Sequence, residues 1–232
     1  MQDIAAYQTL AKEVLGVKFK NLQLLVTAFT HRSYLNEHKK TVTEHNERLE
    51  FLGDAVLELV VTEYLYSNFQ EPEGILTNWR SALVRTESIS AAAARMGYEP
   101  LLRLSRGEKR GTERARAQIL ANTFEATIGA VYVDQGYDAA KQVIEKQILT
   151  TFQDILASGS WLDPKSRLQE LSQSSVGFTP IYRVMQEDGP DHDKTFTVGA
   201  YIDDRLFGKG VGPSKQAAQQ QAAEKALAKF MK

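Results

Sequence analysis

Glu47, Glu50 and Asp54 lie in the run H-N-E-R-L-E-F-L-G-D-A-V-L-E of residues 45–58. Their spacing of i, i+3 and i+7 puts three carboxylates on one face of a helix. Leu49, Leu52, Val56 and Leu59 supply apolar surface on the other faces, which predicts that much of this helix is buried. Like charges at helical spacing cost about a few tenths of a kcal/mol per pair when exposed. Partial burial enlarges that cost and raises the carboxylate pKa values as a coupled set. A divalent cation removes the conflict by neutralising the face. A solvated acidic face with Arg48 as its counter-ion is the other arrangement open to the same residues.

A second stretch, Q-I-L-A-N-T-F-E-A-T-I-G-A-V-Y-V-D at 118–134, is apolar on most sides and predicts a buried helix. Asn122 and Glu125, at i and i+3, interrupt that surface together. A buried carboxylate without a partner is expensive, so Glu125 needs a cation or a network of donors. Just before it, residues 103–116 hold six basic residues against two acidic ones, with two glycines among them. They suit a solvated loop, or a backbone that approaches phosphates.

The elements that must position these groups follow from periodicity and punctuation. Residues 3–36 read as two helices broken near Gly16, with Leu22, Leu25, Val26 and Phe29 as an apolar stripe. His31, within A-F-T-H-R-S-Y, reads as a hydrogen-bonded structural histidine. Residues 37–45 form a polar loop, and Thr43 or Asn46 is placed to cap the acidic helix. That helix should run to about Ser67, with a turn at Glu71-Pro72-Glu73-Gly74 and a further helix from Leu76 to Met96. In the turn, Glu73 also suits a helix N-terminus, where the dipole favours an acid. A last helix is expected from about Tyr137 to Leu156, then a small-residue linker at 157–164. From residue 165 the pattern changes to helix, three strands and an alanine-rich helix from Ser214 to about Phe230.

Composition allows two modest domains in 232 residues. Hydrophobic content of 43% and charged content of 25% are those of an ordinary soluble protein. No run is long and apolar enough for a membrane span, and the N-terminus lacks a signal-peptide pattern. With no cysteine, disulfides and thiolate metal sites are excluded, which is compatible with a cytoplasmic location. Net charge is −1, and neither half is strongly basic, so any nucleic-acid contact must rest on local patches.

The stretch N-E-R-L-E-F-L-G-D resembles the signature of bacterial ribonuclease III, and the likeness extends along nearly the whole chain. A-F-T-H-R-S-Y, L-V-R-T-E-S, the G-E-K-R-G loop at 107–111 and the motif around Asn122 and Glu125 are similar to further hallmarks of that family. The resemblance implies a mainly α N-terminal ribonuclease III domain at 1–156, catalytic and dimerising. It also implies a small α+β double-stranded RNA-binding domain, of α-β-β-β-α order, at 165–232. Glu50, Asp54, Asn122 and Glu125 would then hold magnesium, for which manganese can substitute. Asp54 and Glu125 would be catalytic, with Glu47 and Glu73 as supporting acids. Phe51 matches an aromatic that family members bury across a homodimer interface. The expected activity is cleavage of double-stranded RNA to 5′-phosphate and 3′-hydroxyl ends with two-nucleotide 3′ overhangs, in ribosomal and messenger RNA processing.

In the second domain the family's RNA contacts map onto Ser166, Gln169 and Glu170 on the first helix, and His192 in the first hairpin. Ser214 and Lys215 would meet phosphates at the last helix. Two departures stand out. Asn122 occupies a position where the family usually has Asp, which leaves open a double-stranded RNA-binding protein with weakened or lost cleavage. Gln216 replaces a second lysine, which predicts weaker phosphate binding.

Overall fold

The computed structural model describes residues 4–159, 161–190 and 194–230. Contacts divide the chain into two compact units, Met1–Ala157 and Ser158–Lys232.

The first unit is helical. α1 (Ile4–Thr9) continues into a wider turn, Leu10–Leu15, that stops at Gly16 in the left-handed region with φ of 70°. A second break, which periodicity did not show, separates α2 (Leu22–Ala28) from α3 (Arg32–Glu37). Its cause is local: the His31 backbone is extended, and its Nδ1 accepts the Ser33 N–H at 3.3 Å, capping α3. Here the chain pairs with the distant Arg103, whose N–H donates to the Phe29 carbonyl at 2.9 Å.

The acidic helix α4 spans Glu47–Asn68 as one rod. Asn46 stands at its N-terminus but makes no side-chain cap; the Glu47 N–H instead donates to His45 Nδ1 at 3.4 Å. The helix expected from Leu76 to Met96 is two, α5 (Glu73–Val84) and α6 (Thr86–Arg95). Arg85 is extended between them, and the Ser88 hydroxyl donates to the Ala82 carbonyl at 2.7 Å across the break. α7 (Glu113–Gln135) starts earlier than expected because Thr112 caps it, accepting the Ala115 N–H at 3.3 Å. The last expected helix is α8 (Tyr137–Gln147), a tight turn at Leu149–Thr151, and α9 (Phe152–Ser158).

The core lies where α4 and α7 cross. Leu57, Val60 and Val61 from α4 meet Phe124, Ile128 and Val131 from α7, all fully buried. Burying each such side chain contributes about 1.5–3 kcal/mol. Two glycines let the backbones touch. A Cβ on Gly53 would stand 1.8 Å from the Glu125 carbonyl oxygen, and one on Gly129 would stand 2.2 Å from that of Leu49. Only glycine fits at either position.

The second unit runs α10 (Pro164–Val176), β1 (Ile181–Asp188), β2 (Thr195–Ile202), β3 (Arg205–Gly212) and α11 (Lys215–Phe230). The strands form one antiparallel sheet in the order β1-β2-β3. Asp203 and Asp204 turn β2 into β3 at φ of 48° and 55°, a conformation that aspartate tolerates. The core is small: Leu168, Val198, Ala200 and Ile202 against the alanine face and Leu227 of α11. Gly208 and Gly210 bring β3 so close to that helix that a Cβ on either would lie 2.1 Å from a carbonyl oxygen.

Candidate active site and RNA interface

Glu50 and Asp54 sit on α4 on either side of Gly53, and Asn122 and Glu125 sit on α7 next to the crossing. The close helix approach is therefore what gathers these residues. Burial pushes the half-buried Glu125 carboxyl up to about 7, and the neighbouring Asp54 and Glu50 charges push it the same way. Glu50 is raised by burial first, then by Glu47 and Asp54; the Asn122 amide, a donor toward it, pulls it partly back. Glu47 stands at the exposed edge, ion-paired to Arg32 at 3.4 Å and 3.9 Å from His45 Nδ1. Five of the six acids and amides expected from the sequence thus act on one another. Glu73 is the exception: it opens α5 as an exposed first-turn acid.

Gln118 carried no signal in the sequence. Its Nε2 donates to Asn122 Oδ1 at 2.7 Å, one helical turn away. Among the described residues, no three acidic or histidine side chains are gathered tightly enough to chelate an ion. Repulsion among uncompensated carboxylates works against such gathering. The donors are nonetheless hard oxygens, the kind that divalent magnesium or manganese takes. The unneutralised Glu125 charge is what such an ion relieves, so the residues present fit a hard divalent cation.

The basic loop is partly consumed by the fold. Arg103 lies 4.6 Å over the Tyr34 ring and donates to Thr30 Oγ1 at 3.0 Å. Arg116 is bound to Glu99 and to the Lys109 carbonyl. Gly107 and Gly111 have ordinary negative φ, so the backbone there does not demand glycine.

Phe51 projects from α4 with 83% of its surface exposed. Beside it runs an open groove of about 820 Å³ whose apolar lining includes Leu24, Leu49, Leu52 and Val133. Leu59, expected to be buried, is also more than half exposed.

In the second unit, Ser166, Gln169, Glu170, Ser214 and Lys215 are all exposed. Asp163 caps α10 and also holds the Ser166 hydroxyl. Ser214 caps α11 by accepting the Ala217 N–H at 3.1 Å. Lys215 Nζ lies 3.2 Å from Glu187, which also holds Lys194 at 3.4 Å. Lys165 reaches across to Gln219 Oε1 at 2.8 Å, placing a cation beside the neutral stretch of α11. Neither Glu187 nor Lys165 had a sequence signal. His192, expected in the first hairpin, lies outside the described residues.

Residues 21–152 match the family model described as Ribonuclease-III-like, and residues 164–230 match the double-stranded RNA binding motif. The chain is 45% identical to Ribonuclease 3 of Enterococcus faecalis, over 93% of its own length and 94% of that protein's. It is 44% identical to Ribonuclease 3 of Anoxybacillus flavithermus, over 94% and 92%. The nuclease domain of a Campylobacter jejuni ribonuclease III superimposes with a TM-score of 0.53 at 37% identity, covering 60% of this chain and 97% of that one. That structure is described as showing flexibility in a region involved in dimer formation.

An endoribonuclease that carries its own double-stranded RNA-binding domain is the class these two units define. Within it, the chain belongs to the ribonuclease III family, whose members are generally metal-dependent. Among the described residues no helix is long and apolar enough to cross a membrane.

Proposed function

We propose that the protein cuts double-stranded RNA as a homodimer, one carboxylate cluster per subunit, leaving 5′-phosphate and 3′-hydroxyl ends with two-nucleotide 3′ overhangs. The observation that carries this reading is Glu125: a half-buried carboxyl pushed up to about 7 by burial and by Asp54 and Glu50 across the helix crossing. Glu50, Asp54, Glu125 and the Asn122 side chain would hold magnesium, or manganese in its place. When bound, such ions supply Lewis-acid activation of water and neutralise developing charge on the phosphate. Three carboxylates and one scissile phosphate balance two divalent cations, so Asn122 leaves the assembled site neutral.

The protein's own groups do the positioning. The Gly53–Gly129 contact fixes the spacing of the acids on α4 and α7. Arg32 and His45 hold Glu47 at the rim, where it can accept a proton from water, and Glu73 is assigned a supporting place. An isologous contact, with Phe51 of each copy seated in the other's groove, relates two such sites by a twofold axis. Phosphate and 2′-hydroxyl contacts fall to Ser166, Gln169, Glu170, His192, Ser214 and Lys215, in a domain beginning near residue 165. Structured ribosomal and messenger transcripts in the cytoplasm are the expected targets.

The test is incubation of the full chain with long duplex RNA, with and without magnesium, followed by analysis of product ends. Magnesium-dependent cutting with 5′-phosphate ends, lost in Glu125→Ala while duplex binding persists, is the expected result. Unchanged cutting by Glu125→Ala overturns the site.

A further inference from the structure

We infer that Glu187 sets the RNA affinity of the second unit: its carboxylate, beside the phosphate-directed Lys215, holds duplex binding below what the lysines alone would give. The inference rests on the reading of Lys215 as a phosphate contact and adds to it a residue that opposes that contact.

Glu187 lies near the end of β1, and its two oxygens divide between two cations. Oε1 is 3.2 Å from Lys215 Nζ at the start of α11, and Oε2 is 3.4 Å from Lys194 Nζ just ahead of β2. All three side chains are at least one-third exposed, so the cluster faces solvent. From Gln216 to Ala223, α11 carries no charged side chain. Lys215 is therefore the only cation that the first two turns of this helix put forward, and an acid stands against it.

The fold does not need this link. β1 and β2 are already held in register by the pairs Glu187–Phe196 and Asp188–Thr195. Ser214 caps α11, and a Cβ on Gly210 or Gly212 would meet the backbone of α11 within 3 Å, so β3 seats that helix directly. The Phe196 ring, 5.5 Å from Lys215 Nζ, steadies the ammonium without help from Glu187. Exposed ion pairs add little to stability. What the carboxylate changes is the field that an incoming phosphate meets. A phosphate oxygen bound to Lys215 Nζ at about 2.8 Å lies at most about 6 Å from Glu187 Oε1. That is inside the screening length of about 10 Å at about 0.1 M salt. The repulsion thus persists even though the ammonium keeps donors to spare.

The experiment is fluorescence anisotropy of the full chain with a labelled RNA duplex of about 20 base pairs, longer than the roughly 16 that one such module spans. Chelator is present, so that binding is read without cutting. Wild type, Glu187→Gln, Asp188→Asn, and Lys194→Ala with Lys215→Ala are compared, the last with and without Glu187→Gln. Asp188 is the neighbouring acid on β1, and its carboxylate accepts from Gln186 Nε2 at 3.0 Å, so it controls for the mere loss of a negative charge. Glu187→Gln should bind about two- to fivefold more tightly than wild type at about 0.1 M salt, the worth of one exposed charge pair, and the gain should shrink as salt rises. Asp188→Asn should gain less. Without the two lysines, Glu187→Gln should gain no more than Asp188→Asn does. Weaker binding by Glu187→Gln would make the carboxylate a positioning group and overturn the inference. An unchanged constant, an equal gain with and without the lysines, or an equal gain from Asp188→Asn would overturn it too. If Lys194→Ala with Lys215→Ala binds as tightly as wild type, the reading of Lys215 itself falls, and the inference with it.

Discussion

Gly53→Ala tests the helix crossing on which the site depends. The added methyl would lie 1.8 Å from the Glu125 carbonyl oxygen, 2.7 Å from its carbon and 2.8 Å from the Gly129 nitrogen. All three are backbone atoms, so no side-chain rotation relieves the clash. A carbon–oxygen contact needs about 3.3 Å, so α4 and α7 must part by about 1.5 Å. Overpacking a core costs about 1–3 kcal/mol, and this rigid contact belongs at the upper end. Alanine regains about 1 kcal/mol of helix propensity, leaving a net loss of about 2 kcal/mol. The effect on rate is larger, because a misplacement of about 1 Å costs on the order of 100-fold. Urea unfolding followed by Trp79 fluorescence, in a Trp161→Phe background, reads the first quantity; single-turnover cleavage of a short duplex reads the second. Gly74→Ala, where a Cβ meets nothing within 4 Å, is the control and should be neutral or stabilising. If Gly53→Ala keeps both its urea midpoint and its cleavage rate, the crossing does not position the carboxylates.

Glu125 has a folded-state pKa of about 7 against an ordinary 4.5, so the folded state holds that proton more tightly and loses stability as pH rises from about 4.5 through 7. In metal-free buffer, Glu125→Gln should therefore melt higher than wild type at pH 8 and no higher at pH 4; parallel melting curves against pH would contradict the shift. Phe51→Ala removes a side chain that is 83% exposed in the single chain, so it should leave the fold's stability within about 0.5 kcal/mol. By sedimentation, the same change should raise the dimer dissociation constant about tenfold or more, and an unaltered dimer would remove Phe51 from the interface. Lys215→Ala should weaken duplex binding with little regard to sequence and reduce the slope of log K against log salt by about 1. An unchanged slope would mean that Lys215 does not meet phosphate.

Where the sequence carried strong periodicity, it was a good guide to the fold. α4 and α7 were legible because apolar residues and acids alternate over many turns, and β1, β2 and β3 stood out as β-branched and aromatic runs. The breaks at His31 and Arg85 were not, because each turns on a single side-chain bond that periodicity does not register: the His31 Nδ1 cap of the Ser33 N–H in one case, the Ser88–Ala82 bond in the other. Within the site, the mutual approach of Glu50, Asp54, Asn122 and Glu125 follows from spacing together with the two glycines. Gln118 was invisible, since glutamine on an exposed helix face is ordinary until its acceptor is known. Glu187 and Lys165 were missed for the same reason. Surface charges are common, and only the folded hairpin and helix pair show which of them face each other. Leu59 marks the opposite error, an apolar residue assigned to a single-chain core that does not cover it.

The carboxylates on α4 and those on α7 are separated by about seventy residues of chain, and they meet only where two glycine backbones touch. No local fragment holds a working half of this site. A folding intermediate with α4 formed but α7 undocked carries Glu50 and Asp54 as ordinary solvated acids, and one with α7 alone carries Glu125 without its neighbours. The electrostatic conflict thus arises only once the long-range contact between the two helices is made. An ion that relieves it binds the native state and not the unfolded chain, and stabilises the former by mass action. On the proposed metal reading, metal supply would therefore shift the folded fraction as well as the rate of cutting.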